Sequence, residues 1–80
     1  MKIVDKQIQT LTRRAKVPIA FNYHGKHQIV GIEDFWLESG EWWEGRPERA
    51  VYRVRTTKGG MFELYRNKGQ APWFLYKVYD

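Results

Sequence analysis

Between residues 18 and 79 the chain alternates large apolar with small or polar residues in short runs broken by Gly, Pro and Asn. That period of two is the signature of half-buried strands. Pro18–His24 alternates clearly, and Gly25-Lys26 offers a two-residue turn with Gly in the first central position. This turn pairs His24 with His27, Tyr23 with Gln28, Phe21 with Val30 and Ile19 with Ile32. Ile19, Phe21, Tyr23, Val30 and Ile32 then form one buried face, whereas a turn one residue earlier would oppose Phe21 to Gln28. Ala20 falls opposite Gly31, a flat spot on the other face. A second hairpin joins Ala50–Thr57 to Met61–Asn67 through Lys58-Gly59-Gly60, with Gly60 in the left-handed position. It sets Thr56 against Phe62, Arg55 against Glu63, Val54 against Leu64 and Arg53 against Tyr65.

Trp73–Tyr79 reads as the last strand, opened by Pro72, which lacks an N–H for a ladder. Lys6–Arg13 carries β-formers at Ile8, Thr10 and Thr12; it is either an edge strand or a short helix ending before Pro18, and residues 1–16 are placed as an N-terminal arm or edge strand. Residues 38–47 form a long connection with adjacent tryptophans, Trp42 and Trp43. The predicted fold is all-β: one domain over residues 1–80, a small antiparallel meander of five or six strands curled into a sheet or small barrel.

An 80-residue chain buries only about 60–65% of its unfolded surface, so its core needs bulky side chains. Four Trp, five Tyr and four Phe supply them. With no cysteine, disulfide scaffolds, thiolate zinc sites and cysteine nucleophiles are excluded. No apolar run approaches the ~20 residues of a membrane helix, and no secretory leader is read at the N-terminus, so a soluble cytoplasmic protein is expected. The net charge of +5 is uneven. Glu33, Asp34, Glu38, Glu41, Glu44 and Glu48 face a single Arg46 within residues 33–48, a net of −5, leaving +10 elsewhere. A basic balance admits nucleic acid as a partner and also serves plain solubility.

Catalytic chemistry finds no foothold. Ser39 sits in a Ser-Gly turn with no base and orienting group marked for it, and Gly59-Gly60 lies in a hairpin rather than before a helix. His24 and His27 provide two of the four ligands a structural zinc needs. No catalytic residue, metal or cofactor is therefore expected. Trp42 and Trp43 carry more information. In an extended segment neighbours point opposite ways, so either both help close the small core from different sides or one stands outside it as an interface anchor or a base-stacking platform. Glu41 and Glu44 flank the pair and repel phosphate, which favours a protein partner there, with Trp36 on the approach. The rival surface is basic. Arg53 and Arg55 share a face, Tyr65 joins them, and Lys77 is a further candidate; Arg13, Arg14 and Lys16 cluster before the first hairpin. Cations beside an aromatic on a sheet suit single-stranded nucleic acid.

A longer pattern runs through Pro18-Ile19-Ala20-Phe21, Gly25, Ile29-Val30, Trp36 and Trp42-Trp43. It continues through Val51-Tyr52-Arg53-Val54, Gly60-Met61-Phe62-Glu63-Leu64-Tyr65-Arg66, Trp73-Phe74-Leu75 and Val78-Tyr79-Asp80. In this ordered set the chain resembles an uncharacterised family of small bacterial domains, a domain of unknown function. Members occur alone or as the C-terminal tail of inactive Y-family DNA-polymerase homologues in mutagenesis cassettes. The resemblance spans residues 6–80 and implies a non-catalytic module in DNA-damage tolerance or translesion synthesis. Two functions are thus expected to compete: a protein-interaction module centred on Trp36, Trp42 and Trp43, and a single-stranded nucleic-acid binder using Arg13, Arg14, Lys16, Arg53, Arg55 and Tyr65.

Overall fold

The computed structural model describes residues 1–14, 17–39, 45 and 47–79. Over these residues the chain forms seven strands: β1 (Lys2–Ile8), β2 (Thr10–Thr12), β3 (Pro18–Asn22), β4 (Lys26–Glu38), β5 (Arg49–Thr56), β6 (Met61–Asn67) and β7 (Trp73–Tyr79). They make one antiparallel sheet in the order β1-β7-β6-β5-β4-β3-β2. The all-β class is as expected, but the strands number seven rather than five or six. The N-terminal stretch is strand, and it divides: β1 pairs with β7, while β2, one residue later, pairs with β3. Two strands separated only by Gln9 therefore stand at opposite ends of the sheet order, which requires the sheet to curl into a half-barrel.

The core lies in the hollow of that curl. Opposed residues on antiparallel strands share a face, so the register Val54↔Phe62 and Tyr52↔Leu64 aligns apolar side chains across β5 and β6. Leu64↔Leu75 and Arg66↔Trp73 carry the same face onto β7. Phe21 of β3 packs into this cluster, its ring edge-on to Phe62 at 5.1 Å. Val4 and Ile8 of β1 pack against it from the other side.

Both hairpins keep their strands and change their register. In the first, Phe21 pairs with His27 rather than Val30, and the loop is Tyr23-His24-Gly25, with His24 and Gly25 at φ 52° and 118°. An odd shift of three exchanges the faces. The gain is local: the His27 ring stacks on Phe21 at 5.0 Å, and its Nε2–H donates to the Tyr23 carbonyl at 2.8 Å. His24 therefore does not face His27, Ala20 pairs with Gln28 instead of Gly31, and Ile19, Val30 and Ile32 are exposed rather than buried. In the second hairpin the three-residue loop slides back by one, to Thr57-Lys58-Gly59, with Gly59 rather than Gly60 left-handed at φ 82°. Arg53 now opposes Glu63, and Arg55 opposes Met61. An even shift preserves the faces, so Val54, Phe62 and Leu64 stay on the core side as expected, but Glu63 and Tyr65 on the opposite face are buried too. Gly60 meets a different constraint, since a Cβ there would sit 2.9 Å from the Phe62 ring.

β4 spans 13 residues and carries two bulges against β5, between Ile29 and Gly31 and between Ile32 and Asp34. Each bulge inserts one residue and re-aims the strand. Beyond the second, Asp34–Glu38 runs in regular register with Arg53–Arg49.

Candidate functional site

On the face of the sheet turned away from the core, β4, β5, β6 and β7 bring together Trp36, Arg53, Glu63, Lys77 and Tyr79. Glu63 is the hub, only 2% exposed. The Arg53 guanidinium stands 3.6 Å from its Oε2 and the Lys77 ammonium 4.0 Å from its Oε1, while the Tyr79 hydroxyl donates to it. A carboxylate this deep is sustained by cations on both flanks. Arg53 also lies over the rings of Trp36 and Tyr79, each 5.5 Å away. Burial, followed by the Glu63 hydrogen bond, raises the Tyr79 phenol above its ordinary value. A second cluster sits alongside. Tyr65 stacks on Phe74 at 5.1 Å and donates to Asp5 at 2.6 Å, and Arg49 covers its ring at 4.4 Å. Burial, reinforced by Asp5, pushes the Tyr65 phenol up to about 12. Arg49 reaches Glu38 at 2.7 Å, and Trp36 Nε1–H donates to the same carboxylate at 3.3 Å. Partial burial pulls the Glu38 carboxyl upward, but these bonds and the Arg49 charge outweigh it and hold the group below its ordinary value. Arg55 pairs with Glu33 at 3.2 Å. Arg49, Arg53, Arg55 and Lys77 thus all have carboxylate partners inside the domain.

The other face of β4 shows the opposite character. Val30 is 57% exposed, Ile32 41%, Phe35 48% and Leu37 60%. From Ile32 onward these side chains stand on the core side of the sheet, opposite Val54, Tyr52 and Ala50, past the end of the packed cluster. Phe35 touches the Tyr52 ring at 4.7 Å, and Tyr52 touches buried Trp73 at 5.5 Å, so the exposed row grows directly out of the core. A run of large apolar side chains on one strand marks an interaction site more often than scattered single residues do. Elsewhere a surface groove of ≈ 450 Å³ opens beside β2 and β3, lined by Thr10, Leu11, Ala20, Phe21 and Lys26 among others. Among the described residues no group of three or more His, Asp or Glu side chains could hold a metal ion. Among the same residues no helix is long and apolar enough to cross a membrane.

Residues 2–80 match a family described as a domain of unknown function, DUF6504. The chain belongs to this family. No curated protein and no solved structure matches it.

The DUF6504 domain distributes its sequence-predicted site residues over several places. Trp42, Trp43 and Lys16 lie outside the described residues. Trp36 is half-buried on the outward face, its indole held by Glu38 and Arg53. Arg53 and Arg55 do share that face with Tyr65 and Lys77. Tyr65, however, is 6% exposed, so its ring cannot serve as a stacking platform. Arg13 and Arg14 are exposed in the β2–β3 connection, on a pair of strands apart from β5. The expected Arg55–Glu63 pair is replaced by Arg53–Glu63 and Arg55–Glu33. Simple alternation misses the apolar row of β4, because it assigns Val30 and Ile32 to the core and ends the strand near them. A signal for the row exists further on, in the alternation Asp34-Phe35-Trp36-Leu37-Glu38.

Proposed function

We propose that this DUF6504 domain is a non-catalytic protein-interaction module whose contact surface is the outer half of β4. The observation that carries this reading is the exposed row Ile32, Phe35 and Leu37, continuous with the core through Tyr52. With about half of each side chain still exposed, a partner that removes the rest from water gains roughly 1 kcal/mol from each. The acidic stretch that begins at Glu33 and includes Trp42 and Trp43 follows directly in sequence, so aromatic anchors and an apolar strand belong to one region of the chain. Trp36, Trp42 and Trp43 of this region are among the residues that carry the resemblance to standalone or polymerase-tail domains of bacterial mutagenesis cassettes. We therefore place the module in DNA-damage tolerance or translesion synthesis, in the cytoplasm, recruiting a protein rather than acting on a substrate.

Direct single-strand binding draws less support. A nucleic-acid surface offers cations free to displace counterions from phosphate. Here Arg49, Arg53, Arg55 and Lys77 already face carboxylates, and Tyr65 is packed away. The two readings separate in one experiment. Labelled single-stranded oligonucleotide is titrated by fluorescence anisotropy at low salt, and the domain is used as bait with and without Leu37→Asp. The expected result is no salt-sensitive oligonucleotide binding and a partner lost from the folded Leu37→Asp bait. Steeply salt-dependent oligonucleotide binding, with recovery of the same proteins on both baits, would overturn the proposal.

A further inference from the structure

We infer that the domain takes up its partner by strand addition, the outer edge of β4 pairing with an extended segment that alternates apolar and basic residues. This deepens the reading above and rests on it. The five-stranded part of the sheet, β1-β7-β6-β5-β4, ends in β1 on one side and β4 on the other, and β3 pairs with β4 only at Lys26–Gln28. Among the described residues no strand lies along the outer edge of β4 from Ile32 to Glu38. The two edges differ. β1 carries Lys2 and Lys6 and breaks its register between Ile3 and Lys6, with Asp5 in a left-handed conformation at φ 49°. Charged side chains and a bulge are how proteins keep an edge from pairing. Over Asp34–Glu38, past its second bulge, β4 holds unbroken register with β5 and contains neither Pro, Gly nor Lys; its charges, Asp34 and Glu38, are both acidic and so disfavour an acidic strand rather than a basic one. An edge of this kind satisfies its outward N–H and C=O groups when another strand joins it.

Charge selects the occupant. An added strand would lay one face beside Phe35 and Leu37 and the other beside Asp34, Trp36 and Glu38. Asp34 is exposed and accepts only from the N–H of Phe35, at 2.9 Å, so its charge is unmatched by a cation among the described residues. The surrounding stretch 33–48 is net −5. A second copy fits poorly: antiparallel self-pairing centred on Trp36 sets Asp34 directly across from Glu38, and like charges in register are destabilising.

The test uses the isotopically labelled domain and synthetic peptides. One peptide alternates Val and Arg, one alternates Val and Glu, and two are Val/Arg peptides N-methylated on opposite edges. Backbone amide exchange and affinity are read together. The expected result is slowed exchange at the outward amides of residues 34–38, affinity about tenfold higher for the Val/Arg than for the Val/Glu peptide, and failure of only one N-methylated peptide. Asp34→Lys, a surface change that leaves the core intact, should narrow the preference for the Val/Arg peptide. Equal affinity for both charges, binding by both N-methylated peptides, or protection confined to other strands would overturn the inference. So would slowed exchange at the same amides in the free protein at high concentration, which would make the second copy the occupant. No peptide binding at all would overturn strand addition alone, because the loss of a partner from the Leu37→Asp bait reads the β4 surface independently.

Discussion

Glu63 is the residue on which the outward face is organised, and its neighbours explain why a carboxylate is tolerated at 2% exposure. Removing it leaves Arg53, Lys77 and the Tyr79 hydroxyl without their shared acceptor. Glu63→Ala should therefore cost about 3 kcal/mol in chemical denaturation; a loss within experimental error would mean the cations hydrate freely without it. Tyr65 makes a second residue-scale prediction through pH. Its folded phenol titrates at about 12 against an ordinary 10.0, so between those values the unfolded chain releases a proton that the folded one keeps. The stabilisation is complete below the ordinary value and is lost as pH rises toward the folded one. Ultraviolet titration of tyrosinate should show late-titrating groups, since Tyr79 is raised as well, and the latest of them should disappear in Tyr65→Phe. Gly60 is legible in the sequence only as a turn glycine. Its actual constraint, the Phe62 ring 2.9 Å from where a Cβ would stand, depends on a tertiary contact that local turn chemistry does not encode. Gly60→Ala should destabilise by about 1–3 kcal/mol, measured as a shift in Tm.

At the scale of elements, β5, β6 and β7 are readable because alternation, flanking glycines and Pro72 agree, and their boundaries fall within a residue of those expected. Register is what escapes. In the first hairpin the stacking of His27 on Phe21, the Tyr23 carbonyl bond and two bulges in β4 outweigh the simple alternation that would bury Val30 and Ile32. Bulges are set by packing against the neighbouring strand, and a period-two pattern does not reveal where the period is broken. The consequence is functional, since apolar residues that alternation assigns to the core stand in an exposed row. The end of β4 is tied to β5 by Glu38 and Arg49. Because Glu38 titrates below its ordinary 4.5 in the folded state, its contribution is present above that value and is lost as pH falls through the lowered one. Both side chains are about a third exposed, so the effect is small, ~0–1 kcal/mol. It should be visible as lowered amide protection factors near Glu38 and Arg49 below pH 4.5, relative to intrinsic rates at the same pH, with the β6–β7 protection unchanged. Phe21→Ala, which empties the contact between β3 and Phe62, should cost about 3–5 kcal/mol.

For the molecule as a whole, two surfaces with different chemistry leave one serious role for each. The outward face is a lattice of charge pairs and stacked rings that neutralises its own arginines. The outer half of β4 leaves apolar side chains and a sheet edge uncovered among the described residues. Substituting Leu37, which is 60% exposed and carries no ring contact to the core, by Asp should alter stability by only about 0.5–1 kcal/mol, so binding and folding can be tested apart. The family match over residues 2–80 agrees with the aromatic anchors read along the chain. Of those described, Phe21, Phe62 and Trp73 lie in the core, whereas Trp36 stands in the Asp34–Glu38 run that carries most of the contact surface. The most direct measurement is site-specific photo-crosslinking in cells, with a photoreactive phenylalanine placed at Phe35 and, as controls, at Arg13 and Arg55. A protein-docking β4 should give a discrete protein adduct from position 35 that vanishes with Leu37→Asp, and none from the controls. Nucleic-acid adducts from positions 13 and 55, with nothing from position 35, would contradict it.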